Sequence, residues 1–196
     1  MTAPVLDFDL DAELAMVGVT GGASWAPLGS TLPSLMEPWP DAFTSFGYLN
    51  EDGLEEEPDA DSQSFTAWQA LSPIRVEVTR EVWTMKFVSI ESNFSSVSAY
   101  YRAAREDFTE QGGVVILNQK GKPKRDLRCY GFDVIDGTKH RRFEMPEAEV
   151  TDRGSVVYKS DALTAYELTV TAYPGPDGIS VRRKFKEGWA LPALTP

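Results

Sequence analysis

The first 74 residues contain no lysine and no arginine. Thirteen acids stand in that stretch (Asp7, Asp9, Asp11, Glu13, Glu37, Asp41, Glu51, Asp52, Glu55, Glu56, Glu57, Asp59 and Asp61), leaving seventeen acids against all nineteen basic groups in the rest of the chain. The net charge of -11 is therefore concentrated at one end. Nucleic-acid phosphates would be repelled over much of such a surface, which argues against sequence-specific DNA binding, while a second copy could be attracted head to tail. Cysteine is nearly absent: Cys129 stands alone, so no internal disulfide forms and a reducing compartment is the simpler expectation. In its strand context Cys129 reads as a small core or sheet residue. Histidine is equally scarce. His140 is flanked by Lys139, Arg141 and Arg142, which disfavour both its protonation and cation ligation, and it reads as a surface histidine on a strand.

Long apolar runs are missing as well. No stretch of about 18 apolar residues is present to span a bilayer, and the opening "MTAPVLDFDLDAELAM" has neither the basic nor the apolar region of a secretory signal. G-x-S-x-G, P-loop and H-E-x-x-H patterns are lacking. The expectation is no catalytic residue, no cofactor and no resident metal.

What the chain does have is β-patterning. With 196 residues and 42% hydrophobic content it can bury a real core. The spacing predicts strands over 14–19, 43–49, 64–68, 74–79, 82–90, 113–119, 126–136, 141–146, 154–161 and 163–173, with a closing hairpin from 163–173 through "PGPDG" to 179–185. In 163–173, Tyr166, Leu168, Val170 and Ala172 fall on one face. Thr20 to Pro40 is too punctuated by Gly and Pro for a helix. One helix is predicted over about 93–108, with Asn93 as N-cap, an apolar stripe of Phe94, Val97, Tyr101, Ala104 and Phe108, and Gly112–Gly113 as its stop. The fold class is mainly β: a β-sandwich or barrel with one flanking helix, a long extended N-terminal arm and a long acidic inter-strand loop. The divisions are 1–40 (arm and first strand), 41–185 (the sandwich, with its loop at 50–63) and 186–196 (a C-terminal tail).

The acidic stretch "EDGLEEEPDAD" at 51–61 admits three readings. A calcium loop needs alternating acids around a central glycine, but here Gly53 is third and Pro58 central. A disordered spacer and a contact surface both fit the composition. The contact surface is preferred, with "KGKPKR" (120–125), "KHRR" (139–142) and "RRK" (182–184) as candidate basic partners. The inter-subunit candidates are Glu51, Asp52, Glu55, Glu56, Glu57, Asp59 and Asp61 on one side and Lys120, Lys122, Lys124 and Arg125 on the other.

The order of these pieces carries a resemblance. Ala26, Pro27, Gly29, Thr31, Leu32 and Pro33 form an "AP-x-G-T-x-L-P"-like element; Gly47, Tyr48, Glu51, Asp52 and Gly53 a "G-Y-x-x-E-D-G" turn; Ala67, Trp68 and Gln69 an "A-W-Q" strand; and the late chain ends in "AYE-x-T-x-TAYP". Over about 14–185 the chain resembles the major tail protein, or tail tube protein, of bacteriophages with long non-contractile tails. Its acidic loop is more charged than the family pattern, and "KEGWALPALTP" has no counterpart in it.

The resemblance implies a β-sandwich subunit that forms hexameric rings stacked head to tail into a hollow tube. The genome would pass through without specific binding. Tape-measure, tail-tip and tail-terminator proteins would be its other partners, the host cytoplasm its place of assembly and the virion tail its final location, with no membrane involved. The charge asymmetry fits such stacking independently of the resemblance, and the expectation is that the loop from Asn50 to Ser62 joins neighbouring subunits and orders only on stacking. Two alternatives stand beside it: a tube protein of a contractile tail or related injection machine, and a β-barrel carrier of small apolar ligands.

Overall fold

The computed structural model describes residues 11–119, 121, 122, 124–187 and 191. The predicted mainly β class with a single flanking helix holds. Strands β1 (Thr20–Pro27), β2 (Thr44–Ser45), β3 (Leu49–Thr66), β4 (Pro73–Ser89), β7 (Arg128–Asp136), β8 (Lys139–Arg153), β9 (Tyr166–Tyr173) and β10 (Arg182–Lys186) form one eight-stranded antiparallel sheet. Its order is β2-β1-β7-β8-β9-β4-β3, with β10 also on β8. Helix α1 (Phe94–Tyr101) and a separate hairpin, β5 (Phe108–Gln111) with β6 (Val114–Leu117), complete the described elements longer than one turn.

The sheet curls on itself. Segment 44–49 bonds to β1 at one end, through Phe46 N–H to the Ala23 carbonyl at 3.0 Å, and to the end of β4 at the other, where Ile90 N–H donates to the Tyr48 carbonyl at 3.0 Å. The interior is filled by Phe46, Met85, Phe87, Tyr130, Phe132 and Met145, each at most 2% exposed. Aromatic contacts run from Phe46 to Phe87 (4.9 Å between ring centres) and on to Phe132 (5.7 Å). A filled centre of this kind leaves the ligand-carrier alternative without the dry cavity it needs.

Several expected elements are corrected. The strand expected at 14–19 is a short 3₁₀ turn (Ala12–Leu14) and unpaired chain, with Val17 and Val19 in solvent; pairing begins at Thr20. Of 43–49 only Thr44–Ser45 and Leu49 enter strands. The strands expected at 74–79 and 82–90 are one strand, β4, with an irregularity opposite Asp61 and Ser62. The segment 154–161 is not strand, and its Val157 and Tyr158 stay exposed. β9 has the predicted inward face, with Tyr166, Leu168, Val170 and Ala172 buried. It does not pair with β10, however, because both of its edges are taken, one by β8 and one by β4. β10 instead continues in line along β8, from Glu144 to His140.

The helix is shorter than expected and buries a different face. Asn93 caps it as predicted, its Oδ1 accepting from Ser96 N–H at 3.0 Å. The helix ends at Tyr101, where Arg102 turns left-handed (φ 51°), and Phe108 begins β5 instead of ending the helix. Gly112 and Gly113 turn the β5–β6 hairpin. The buried side is Ser95, Ser96, Ser98 and Ala99. These small residues let α1 lie close on the sheet, with Ser96 Oγ 2.7 Å from Ser89 Oγ. Arg128, 4% exposed, donates to the Ser98 and Ala103 carbonyls at 3.3 and 3.2 Å and so closes the helix end.

The largest correction concerns 50–63. No loop exists there: the acids lie within the 18-residue strand β3, laddered to β4. Period-two geometry places Glu55, Glu57, Asp59 and Asp61 on one face opposite Lys86, Thr84, Val82 and Arg80. β3 is a sheet edge, where charge is favoured and Pro58 is tolerated. The Asp52–Gly53 pair does adopt positive φ (Gly53, 70°), but it forms a bulge between Leu49 and Leu54 and not a turn.

Phe132→Ala should lower the unfolding free energy by about 3–5 kcal/mol, whereas Trp68→Ala, at a residue 98% exposed, should leave it within about 0.5 kcal/mol. Urea unfolding of the monomer measures both, and equal losses would contradict this assignment of core and surface.

Candidate assembly surface

β4 pairs with β9 only from Thr84 to Ser89, but with β3 from Pro73 to Ser89. The distal hairpin, about 58–66 with 73–82 and its turn at 67–72, therefore projects past β9 as a two-stranded arm. One face of it is apolar and bare: Ile74, Val76 and Val78 are 60–68% exposed, and Trp68 and Leu71 at the tip are 98% and 107% exposed. Strand alternation, corrected for the irregularity at Thr79, makes this face the continuation of the inward face that carries Trp83, Met85 and Phe87. The residues that point into the core at the root point into solvent at the tip.

The root of the arm is clamped. The Arg183 guanidinium of β10 lies 4.0 Å from the Trp83 ring centre; its Nε donates to Glu56 Oε1 at 2.7 Å, and its Nη2 lies 2.5 Å from the same oxygen as an ion pair. On the arm Arg80 pairs with its register partner Asp61 at 3.4 Å and diagonally with Asp59 at 2.8 Å; at the root Lys86 reaches Glu167 of β9 at 3.1 Å. The hydrogen bond to Asp59 raises the Arg80 pKa, and that to Glu167 raises the Lys86 pKa, with Glu55 and Glu57 adding to the latter through charge alone. Asp52 accepts from the Asn50 amide at 2.5 Å. The acidic stretch is thus partly neutralised within the subunit, through Glu56, Asp59 and Asp61. Among the described residues Glu51, Glu55 and Glu57 have no ion-pair partner within 4.0 Å.

The candidate basic partners divide in the same way. "KHRR" is used internally: Lys139 donates to the Ala15 carbonyl at 2.7 Å, His140 and Arg142 each lie 2.7 Å from Asp133, and Arg141 donates to the Glu187 carbonyl at 3.0 Å. His140 is accordingly on a strand as expected, but its side chain is only 18% exposed. "RRK" is also used, with Arg183 in the clamp and Lys184 paired with the fully buried Glu144, which Arg182 approaches at 3.7 Å. Lys184 and Arg142 also tie down the segment 33–39. Lys184 donates to the Pro33 and Leu35 carbonyls at 2.5 and 3.2 Å and Arg142 to the Glu37 carbonyl at 2.5 Å, while the Trp39 indole donates to Asp133 at 2.6 Å. A Cβ at Gly131 would collide with the Trp39 ring, so that residue must be glycine for the segment to lie flat.

The connection before β7 is the least committed of these clusters. Lys122 and Lys124 are exposed beside Tyr101 and Leu117, and Arg125 stacks on Tyr173 at 5.4 Å and lies 3.8 Å from Glu149. Lys120 lies outside the described residues. The structure does not bring Lys122, Lys124 or Arg125 into an ion pair with any of the seven acids of 51–61 within one subunit. Among the described residues no group of three or more potential ligands is placed to hold a metal ion, and no helix is long and apolar enough to cross a membrane. Sequence reasoning missed the Arg183–Trp83–Glu56 clamp, whose members stand up to 127 residues apart and carry no local pattern.

A family model described as phage tail tube protein matches residues 9–181. The chain belongs to the phage tail tube protein family. As a tail tube protein it is a structural component of the virion tail, and it assembles with other tail components. None of the curated proteins matches it.

A double-mutant cycle on Glu56→Gln and Arg183→Met should give a coupling of about 1 kcal/mol, because that pair is three-quarters buried. The more exposed Arg80–Asp61 pair should give about 0.3 kcal/mol or less. Urea unfolding decides, and the reverse order would remove the clamp from the account.

Proposed function

We propose that the subunit builds the tube by repeating one head-to-tail contact, in which the β3–β4 arm of each copy reaches the next layer. The observation that carries this is the arm itself: a two-stranded ribbon that leaves the sheet with an apolar face in solvent and unpaired acids along its root. A monomer gains nothing from exposing Trp68, Leu71, Ile74, Val76 and Val78 together; a contact surface does. The contact is heterologous and therefore open-ended, as a stacked tube requires. Rings of six subunits, a non-contractile tail and passage of the genome through the lumen are the finer parts of this reading, and the likeness to the family of long-tailed phages supports them. An acid-rich wall suits such a channel, since phosphate meets few cations on which to release counterions and stick.

The basic side of the contact is assigned to Lys122 and Lys124, exposed cations left over once the other clusters have found partners inside the subunit, with Arg125 beside them on Tyr173 and Glu149. Their counterparts are Glu51, Asp52, Glu55 and Glu57, with Lys120 completing the basic set by sequence. The arm does not have to fold on contact: its ladder is already formed, which reduces the ordering entropy that stacking must overcome.

Negative-stain electron microscopy of the full chain across a concentration series tests the reading, with rings or tubes expected at high concentration and monomers at low. Glu51→Lys, Glu55→Lys and Glu57→Lys together should stop tube growth while the urea midpoint of the monomer stays within error. A chain that remains a compact monomer at every concentration, with and without tail-tip components, would overturn the proposal.

A further inference from the structure

The apolar stripe of α1 faces away from the core. Phe94 is 38% exposed and Val97 is half-buried, and together with Phe108, Val115 and Leu117 of the β5–β6 hairpin they line an open groove of about 460 Å³. Its floor is well built: Phe94 meets Phe108 edge-on at 5.2 Å between ring centres and Trp25 at 6.3 Å. The rim is bare, with Val114 59% and Val115 65% exposed. The pattern that marks a core-facing helix stripe has here been turned outward.

We infer that this groove is the seat for the apolar arm tip of a second copy of the chain, with Trp68 and Leu71 entering between α1 and β6. The inference rests on the assembly reading above and names the surface that receives the arm. The arm cannot reach its own groove. Ser92 and Asn93, which line the groove, follow the root end of β4, whereas Trp68 and Leu71 precede its other end. Seventeen extended residues separate the two by about 55 Å along the strand. Donor and acceptor surfaces at opposite ends of one strand suit head-to-tail repetition and exclude self-occlusion.

Charge selects the same partner. Residues 49–89 hold nine acids against Arg75, Arg80 and Lys86. Beside the groove, Leu117 also borders the site lined by Lys122 and Lys124, so a basic loop adjoins the apolar seat. An arm with an excess of acids is drawn toward that basic side while its apolar tip fits the apolar centre; Glu57, about 35 Å from Trp68 along the strand, is left to meet the cations of a further copy. Apolar burial would supply the affinity and the charges the orientation.

Two single-cysteine additions, Trp68→Cys and Val115→Cys, test this on the full chain. Cys129 does not compete, because it is 1% exposed. Under mild oxidation at assembling concentration, an equal mixture should yield at least about ten times more disulfide-linked dimer than either variant alone. Val115→Asp should abolish assembly with an unchanged monomer unfolding midpoint, since the residue is largely in solvent. Tubes that form normally from Val115→Asp, or a mixture with no added cross-linking under conditions where tubes form, would overturn the groove while leaving the assembly reading intact. A wild-type chain that never assembles would overturn both. A concentration-independent disulfide within a Val115→Cys/Trp189→Cys chain would seat the chain's own C-terminal residues there instead and would also overturn the inference.

Discussion

β4 has two neighbours of unequal length, and that mismatch governs the rest of the molecule. From Thr84 to Ser89 it is held on both edges, by β9 and β3, and delivers Met85, Phe87 and Ser89 into the interior. From Pro73 to Val82 it has β3 alone. The alternation of strand side chains cannot stop where the sheet does, so the face that is core at the root becomes bare apolar surface at the tip. The subunit's globular part and its contact element are thus a single strand under two environments.

An isolated two-stranded ribbon is marginal in water, so this arm needs support. The support comes from β10, which reaches the arm only because β9 has no free edge and the chain must continue along β8. Placed there, Arg183 stacks on Trp83 and binds Glu56 at the point where the ribbon leaves the sheet. The acids of β3 then act in two ways. Asp59 and Asp61 hold Arg80 across the ladder, while Glu55 and Glu57 charge an edge that would otherwise invite strand addition.

Legibility followed locality. β7, β9 and the Asn93 cap could be read because alternation and capping are written in adjacent residues. The β class followed from the sum of such patterns. The long β3 was not readable as strand, because seven acids and a proline contradict strand propensity; only its place at a sheet edge, a non-local fact, makes that composition acceptable. The helix stripe misled for a related reason. Periodicity reports that a face is apolar, not what covers it, and α1 buries serines against Ser89 and Arg128 while Phe94 and Val97 stay at the surface. At the candidate site, the acids and the loop at 122–125 could be named from composition. Which cations were already spent inside the subunit could not, since Arg183–Glu56, Arg142–Asp133 and Lys184–Glu144 are all pairings fixed by topology.

These non-local pairings also bear on how assembly is restrained. A free subunit exposes an apolar arm, and two such arms could collapse on each other; Glu51, Glu55 and Glu57, left without ion-pair partners at the root of every copy, oppose that encounter by like-charge repulsion. Approach to the basic connection before β7 meets no such barrier. The same acids that oppose arm-to-arm association thus favour arm-to-platform association, and the discrimination comes from where the sheet topology leaves its few uncommitted cations.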